Sequence, residues 1–136
     1  YKAFHVPGRY DAQYANADLL SDLLGRGKSS RLYRKLLRET PLFSNVAAYT
    51  TASLDPSLLV IQGTLNKGVT PETADAAVQE LLADVVNDVT DEELSKVKHH
   101  AEATLAFSEV ELLNRAMNLA YAANAGNPDW VNSEAD

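Results

Sequence analysis

The sequence predicts an α+β fold with the element order β-α-α-β-β-α-α, in which helices cover one face of a small, mainly antiparallel sheet. Two observations support this class. Residues 45–53 and 58–65 are rich in β-branched, aromatic or aliphatic side chains, and the turn residues between them are typical of an antiparallel hairpin. On both sides of this hairpin, apolar residues recur at helical spacing over longer stretches.

The part before the hairpin is predicted to contain one strand and two helices. Residues 1–6 are β-prone and are followed by a Pro-Gly pair that ends a strand. Asp11 is placed to cap a helix that runs to Leu24, and Pro41 marks the end of the next helix. The apolar faces expected are Ala12, Ala15, Leu19 or Leu20, Leu23 and Leu24 in the first helix, and Leu32, Tyr33, Leu36 and Leu37 in the second.

The turn between these two helices lies in residues 24–37, whose sequence is LGRGKSSRLYRKLL. Gly25 stands where the end of a helix favours a left-handed residue. Ser29 or Ser30 can cap the next helix, because a serine oxygen accepts a hydrogen bond from the unpaired N–H groups of a first turn. These three residues are therefore expected to serve the structure of the turn.

The part after the hairpin is predicted to be helical. Thr70 followed by Pro71 is a strong helix start, because a capping hydroxyl precedes a proline at the first helical position. Thr90 opens a capping box of the form T-x-x-E, which predicts a second start. The apolar pattern that begins there continues to Tyr121, which is longer than an ordinary globular helix, so a break is expected between residues 107 and 111.

Length and composition limit the classes of protein. The 136 residues suit one domain, and no apolar run reaches the length of a membrane span. A net charge of −7 argues against nucleic acid as a partner. The absence of cysteine excludes disulfides and thiolate metal sites, and it leaves both the cytosol and the bacterial periplasm open.

The two ends of the sequence suggest a piece of a longer protein. The chain begins without a methionine and within a predicted strand, and residues 129–136 are predicted to begin further structure. If native neighbours are missing, an apolar face is left exposed. We therefore expect the chain to self-associate or to be marginally stable.

The residues that could support catalysis do not form a complete motif. His99 and Glu102 fit the inverted zinc motif H-x-x-E-H, but Ala103 stands where the second histidine is needed. Ser29 and Ser30 lack the G-x-S-x-G context of a nucleophile, and the G-R-G-K-S run lacks the spacing of a phosphate-binding loop. The sequence therefore predicts no catalytic residue and no metal ligand in this chain.

A basic helix is the remaining candidate for a binding site. Its charged residues, at positions i, i+3, i+4 and i+7, make one cationic face on an α-helix. Such a face can hold a peptide carboxylate or the acidic surface of a partner. The alternative is a solvated face that pairs with Glu39 and with the acidic helices. The residues concerned are Arg31, Arg34, Lys35 and Arg38.

The stretch of residues 24–37 resembles the second, non-zinc domain type of the insulinase, pitrilysin and mitochondrial processing peptidase family of zinc metallopeptidases. The residues that carry the resemblance are the LGRGKSSRLY run at 24–33 and TDEELSKVK at 90–98, and the likeness covers most of the chain. The resemblance implies that residues 1–136 are a single, truncated wall domain of α+β fold. It also implies that homologous domains pair into a shell around a peptide, and that zinc is bound in another domain.

The resemblance also implies a role for one arginine. Some wall domains contribute an arginine and a tyrosine to substrate binding, in a run like LRExxGLaYsv. Arg38 falls on the arginine, whereas Asn45 occupies the position of the tyrosine. Tyr49 is four residues away, and a shift of that size would disturb the strand register, so it is not counted. Substrate contact is thus expected first at Arg38, and then at Arg34 and Arg31.

Together these points predict a non-catalytic domain of a zinc metallopeptidase that helps to enclose and bind an unfolded peptide. Zinc-assisted hydrolysis would occur in another domain. The expected partners are the zinc-bearing domain or subunit of the same family and the peptide substrate. The alternatives are a structural or assembly subunit of an inactive relative, and a module that binds acidic ligands through the basic helix.

Overall fold

The computed structural model of the chain describes residues 1–133. Its elements confirm the predicted α+β class, and the second predicted helix is a π-helix. Two compact units divide the chain, Tyr1–Leu94 and Ser95–Asp136. In order, the elements are β1 (Lys2–Val6), α1 (Tyr14–Gly25), the π-helix (Tyr33–Glu39), β2 (Phe43–Thr50), β3 (Ser57–Leu65), α2 (Pro71–Asp88), α3 (Asp91–Val110), α4 (Leu112–Asn124) and α5 (Trp130–Ser133).

The sheet of the first unit has the strand order β1-β3-β2, and both pairings are antiparallel. The predicted hairpin is therefore confirmed, and Tyr49 of β2 lies opposite Val60 of β3. The ladder between these two strands has one irregularity, between Phe43 and Asn45. The central strand is covered on both faces, because its consecutive residues 59–61 are all buried.

The core of the first unit combines this sheet with α1, the π-helix and α2. Ala12 and Ala15 are exposed, so the apolar stripe predicted for the first helix is wrong at its beginning. The reason is that α1 begins at Tyr14, after a turn in which Asp11 Oδ1 accepts a hydrogen bond from the Gln13 nitrogen at 2.8 Å. The buried apolar residues are Leu23, Leu24, Leu32, Leu36, Phe43, Val46, Leu59, Val60, Ile61, Ala74, Val78, Leu81 and Val85.

The turn between α1 and the π-helix differs from the prediction at its glycines. The left-handed residue is Gly27, whose φ is +76°, and not Gly25, which is the last residue of α1. Glycine is needed at position 25 for another reason: a Cβ there would stand 2.2 Å from the Ala48 nitrogen. Ser30 closes the turn, because its hydroxyl donates to the Gly27 carbonyl oxygen at 2.8 Å. Ser29 is exposed, and a capping role for either serine stays a prediction.

The two helix starts predicted after the hairpin are confirmed by their hydrogen bonds. Thr70 Oγ1 accepts from the Thr73 nitrogen at 3.3 Å at the start of α2. At the start of α3, Thr90 Oγ1 accepts from the Glu93 nitrogen at 3.2 Å, and Glu93 Oε2 accepts from the Thr90 nitrogen at 3.3 Å. The second pair is a complete capping box.

The second unit is helical, and the predicted break is confirmed. Glu111 has extended dihedral angles, φ −81° and ψ 116°, and separates α3 from α4. Large apolar side chains around the break are exposed, namely Phe107, Val110, Leu112 and Leu113. Of the further structure predicted for residues 129–136, α5 is observed, and residues 134–136 lie outside the described residues. Within residues 1–133, no helix is both long enough and apolar enough to span a bilayer.

Candidate functional site

The basic stretch predicted as a binding face lies mostly on the π-helix. The Thr40 nitrogen donates to the Lys35 carbonyl oxygen at 2.9 Å, which is the i→i+5 bond that defines this helix type. An i→i+5 helix has more residues per turn than an α-helix, so side chains four and five positions apart share a face. The i, i+3, i+4, i+7 face expected of an α-helix is therefore not the face that forms.

Burial separates the two sides of this helix. Leu32 and Leu36, four positions apart, are 0% and 1% exposed and form its inner side. Arg34 and Arg38, also four apart, are exposed. The Lys35 ammonium is exposed as well and lies 3.9 Å from Glu39 Oε2, a distance at which an exposed pair contributes little stability.

Arg31 stands apart from the other basic residues. Its side chain is only 12% exposed, and it binds the connection between α2 and α3. Nε donates to Glu93 Oε1 at 3.1 Å and Nη2 donates to Glu93 Oε2 at 2.5 Å, which makes a forked pair. Nη1 donates to Asp88 Oδ1, and Nη2 donates to the Asp88 carbonyl oxygen at 3.1 Å.

This ion cluster shifts the titration of both of its principal members. The hydrogen bonds from Arg31 hold the pKa of Glu93 below its ordinary value, against the opposing effect of burial. The backbone bond from Thr90 and the charge of Arg34 lower the pKa of Glu93 further. The hydrogen bond to Glu93 raises the pKa of Arg31, so both groups stay charged at neutral pH.

Arg34 and Arg38 are the members of the basic stretch that are open to a ligand. Among the side chains that the structure describes, neither guanidinium makes a hydrogen bond or an ion pair. The structure thus separates the four predicted basic residues. Arg31 is paired with Asp88 and Glu93, Lys35 lies near Glu39, and Arg34 and Arg38 form an outward-facing pair. Substrate contact at these three arginines stays a prediction.

The position implied for a substrate-binding tyrosine carries an exposed asparagine. Asn45 lies on β2 opposite Thr64, next to the irregularity of the ladder. Tyr49 on the same strand is 41% exposed, and its hydroxyl donates to Gln62 Oε1 at 3.3 Å. The tyrosine that the resemblance led us to look for is therefore absent at that position.

The histidines do not form part of a metal-binding group. Among residues 1–133, no cluster of three or more His, Cys, Asp or Glu side chains is arranged to hold a metal ion. His99 and Glu102 are exposed on α3, and His100 Nδ1 lies 3.3 Å from Thr104 Oγ1 on the same helix. The donor set present here does not fit a zinc site, so we derive no catalytic step from it.

Sequence reasoning missed Asp88 and Glu93 as members of this site. The capping box had marked Glu93 as the residue that completes a helix start, but nothing in the pattern connects it with Arg31, which is 62 positions away. The π-helix was also missed, because its residues are ordinary α-helix formers.

Comparison with known proteins identifies the family. The family model described as "Peptidase M16 inactive domain" matches residues 1–100. The alpha subunit of the mitochondrial-processing peptidase of Solanum tuberosum is 30% identical in an alignment 118 residues long, which covers 76% of this chain and 23% of that protein.

Two solved structures share the fold. The inactive peptidase domain of a candidate zinc protease from Bordetella parapertussis superposes with a TM-score of 0.88 at 22% identity, over 98% of this chain and 72% of that one. A protease from Helicobacter pylori superposes with a TM-score of 0.86 at 23% identity, over 98% of this chain and 34% of that one.

The chain spans less than a quarter of the potato subunit and about a third of the Helicobacter protease. The family match, by contrast, covers most of the chain. It agrees with the resemblance carried by the turn and by the helix start at Thr90, and it names an inactive type of domain. The chain belongs to the peptidase M16 family of zinc metallopeptidases, as one of its inactive domains.

Proposed function

We propose that residues 1–136 act as a single wall domain of a zinc metallopeptidase, which helps to enclose and bind an unfolded peptide. Hydrolysis would occur in another domain, where zinc activates water. Membership of the inactive-domain class supports the non-catalytic part of this proposal. The observation that carries the binding part is the outward-facing pair Arg34 and Arg38.

The chemistry of this pair suits a peptide. Each guanidinium is planar and offers several N–H donors, which match carboxylates and backbone carbonyl oxygens. An unfolded peptide presents these acceptors along its length, because its backbone is not paired in secondary structure. The whole chain has a net charge of −7, so these arginines form a local positive site on an acidic protein. The site is therefore suited to a carboxylate-bearing segment of the substrate.

The expected partner is the zinc-bearing domain or subunit of the same family. The potato relative is itself a subunit of a processing peptidase, which supports an arrangement in which the zinc-free part works beside another chain or domain. Zinc would then be the cofactor of that partner.

Peptide binding tests the role of the arginines. The probe is a fluorescein-labelled unfolded peptide with acidic residues and a free carboxyl terminus, and its amidated, uncharged counterpart is the reference. Replacing Arg34 and Arg38 together with alanine should weaken binding of the acidic probe by about tenfold, or about 1.4 kcal/mol. The matched control is the double alanine variant of Lys28 and Lys67, which removes two charges from exposed turn positions.

The control variant should bind within about twofold of the unchanged chain, because it removes the same number of charges but leaves both guanidinium groups of the proposed site in place. If the two double variants lose affinity equally, the effect is one of net charge and the binding site is not on the π-helix. An unchanged chain that binds neither peptide would contradict the proposed role itself.

The assignment of zinc to another domain needs a separate experiment. Zinc content and peptidase activity would be measured on the 136-residue chain and on the full-length protein side by side. A zinc-free, inert chain beside a zinc-loaded, chelator-sensitive full-length protein is the expected result. If both are zinc-free and inert, the protein is an inactive relative, and its function is structural or lies in assembly.

A further inference from the structure

The segment that carries Arg34 and Arg38 is held at both ends by residues outside it. Before the π-helix, Arg31 binds Asp88 and Glu93 through four hydrogen bonds. After it, the Leu42 nitrogen donates to the Leu36 carbonyl oxygen at 3.0 Å, and Asn66 Nδ2 donates to the Pro41 carbonyl oxygen at 2.9 Å. The helix is thus fixed between two anchors.

The local sequence alone does not favour this helix type. Residues 33–39 read YRKLLRE, and leucine, arginine, lysine and glutamate are all good formers of an α-helix. A run of i→i+5 bonds is rare, so contacts beyond the segment must select it. Of the two anchors, the one formed by Arg31 is better suited to select the π-helix, because its guanidinium is largely buried and has two charged partners, Asp88 and Glu93.

We propose that Arg31 and Glu93 are positioning residues, whose forked ion pair, completed by Asp88, selects the π-helical register and so sets the direction of Arg34 and Arg38. This inference rests on the proposed peptide binding by those two arginines. Arg31 itself does not touch the peptide in this scheme. Its role is to hold the helix that carries the binding groups.

The register matters because it determines where Arg38 points. Each residue of an α-helix advances by about 100° around the axis. A residue of an i→i+5 helix advances by less, so the difference accumulates over the six positions from buried Leu32 to Arg38. A change to i→i+4 bonding would leave Leu32 in the core and turn Arg38 away from its present direction. Arg34, closer to Leu32, would turn less. Residues four positions apart share a face in an α-helix too, so the two guanidinium groups would stay together, but the pair would point in a different direction relative to the core.

The carboxylate of Glu93 is oriented to pair with Arg31 by a second hydrogen bond. Its Oε2 accepts from the Thr90 nitrogen at 3.3 Å as well as from Arg31 Nη2, so the capping box fixes the carboxylate that receives the guanidinium. A lysine at position 31 would keep the positive charge but could not make the fork. Arg31→Lys therefore separates geometry from charge, and Glu93→Gln is its isosteric counterpart.

The experiment has two readouts on the 136-residue chain. The first is the NMR coupling through the hydrogen bond between the Thr40 amide nitrogen and the Lys35 carbonyl carbon, which reports the i→i+5 register directly. The second is the affinity for the acidic fluorescein-labelled peptide. Arg31→Lys and Glu93→Gln should each abolish the Thr40–Lys35 coupling and weaken peptide binding by about five- to tenfold, with Arg34 and Arg38 unchanged.

The matched control is Asp75→Asn, which removes the exposed ion pair between Lys2 Nζ and Asp75 Oδ1 in the same unit. It should keep both the coupling and the affinity. The inference is overturned if the two test variants keep the coupling, or if they lose it with no change in affinity. If Arg31→Lys fails to fold, Glu93→Gln decides the question. If the unchanged chain does not bind the peptide, the proposed function fails, while the coupling still decides whether the ion pair selects the register.

Discussion

Gly25 packs against Ala48 so closely that a Cβ at position 25 would stand 2.2 Å from the Ala48 nitrogen and 2.8 Å from its Cα. This contact joins the last residue of α1 to the middle of β2. Since both atoms belong to the backbone, neither can move aside without shifting a strand. The end of α1 is thereby fixed on the sheet, and with it the start of the turn that leads to the basic helix.

The first prediction concerns this contact. Gly25→Ala should lower the free energy of unfolding by about 1–3 kcal/mol, because overpacking against backbone forces the helix and the strand apart. Gly27→Ala is the control, since its surroundings are open and only the left-handed φ is strained, at a cost of about 1–2 kcal/mol. Urea denaturation of both variants measures the difference. A larger loss for Gly27→Ala would mean that the close approach is relieved by a small movement.

The second prediction concerns the inner side of the π-helix. Leu36→Ala should lower the free energy of unfolding by about 2–5 kcal/mol, because it leaves a cavity where a fully buried side chain stood. Leu37→Ala, at a half-buried neighbouring position, is the matched control and should cost clearly less. Chemical denaturation monitored by circular dichroism measures both. Equal losses would contradict the assignment of Leu36 to the core.

The third prediction concerns pH. The folded protein holds the pKa of Glu93 below its ordinary value of 4.5, so folding favours the ionised form. The stability that this adds is fully present above pH 4.5 and is lost as the pH falls through the folded pKa. The unfolding free energy of the unchanged chain should therefore fall more steeply below that pH than that of Glu93→Gln. Denaturation series from about pH 6 to pH 3 measure the two slopes. If the unfolding free energies of the two proteins fall in parallel, Glu93 has the same pKa in the folded and the unfolded chain, and the prediction is wrong.

The fourth prediction concerns the apolar residues around the break between α3 and α4. Phe107, Val110, Leu112 and Leu113 are between 70% and 84% exposed. Exposed apolar groups of this size favour association in water, so the chain should self-associate as its concentration rises. Sedimentation velocity over a concentration series measures this. The double variant Leu112→Ser and Leu113→Ser should remain monomeric to higher concentration, whereas a chain that is monomeric throughout would contradict the prediction.

Local signals in the sequence predicted most of the fold. The caps at Thr70 and Thr90, the hairpin and the break before Leu112 each depend on neighbouring residues, and all are present in the structure. The left-handed glycine was assigned to position 25 and is found at position 27. Gly27 is needed for its positive φ and Gly25 for its close approach to Ala48. The sequence alone does not show which of the two neighbouring glycines meets which requirement.

The candidate site was predicted less completely. The sequence identified the basic stretch, but it grouped Arg31 with Arg34 and Arg38 because an α-helix was assumed. The change to i→i+5 bonding alters one hydrogen bond per residue and leaves no pattern in the side chains. The acidic partners of Arg31 lie 57 and 62 positions away, so only the tertiary structure brings them together. Substrate contact by Arg34 and Arg38 stays a prediction.

The strand order β1-β3-β2 leaves β1 and β2 as the outer strands of the sheet formed by residues 1–133. An outer strand is a template on which another extended chain can grow into a fibril. Here β1 has five residues and begins with charged Lys2, and the ladder of β2 is interrupted between Phe43 and Asn45. Short length, charge and irregularity each make an edge a poor template for amyloid growth. Both edges of this sheet are therefore poor sites for adding a strand from an unfolded peptide, which is the substrate proposed for this domain.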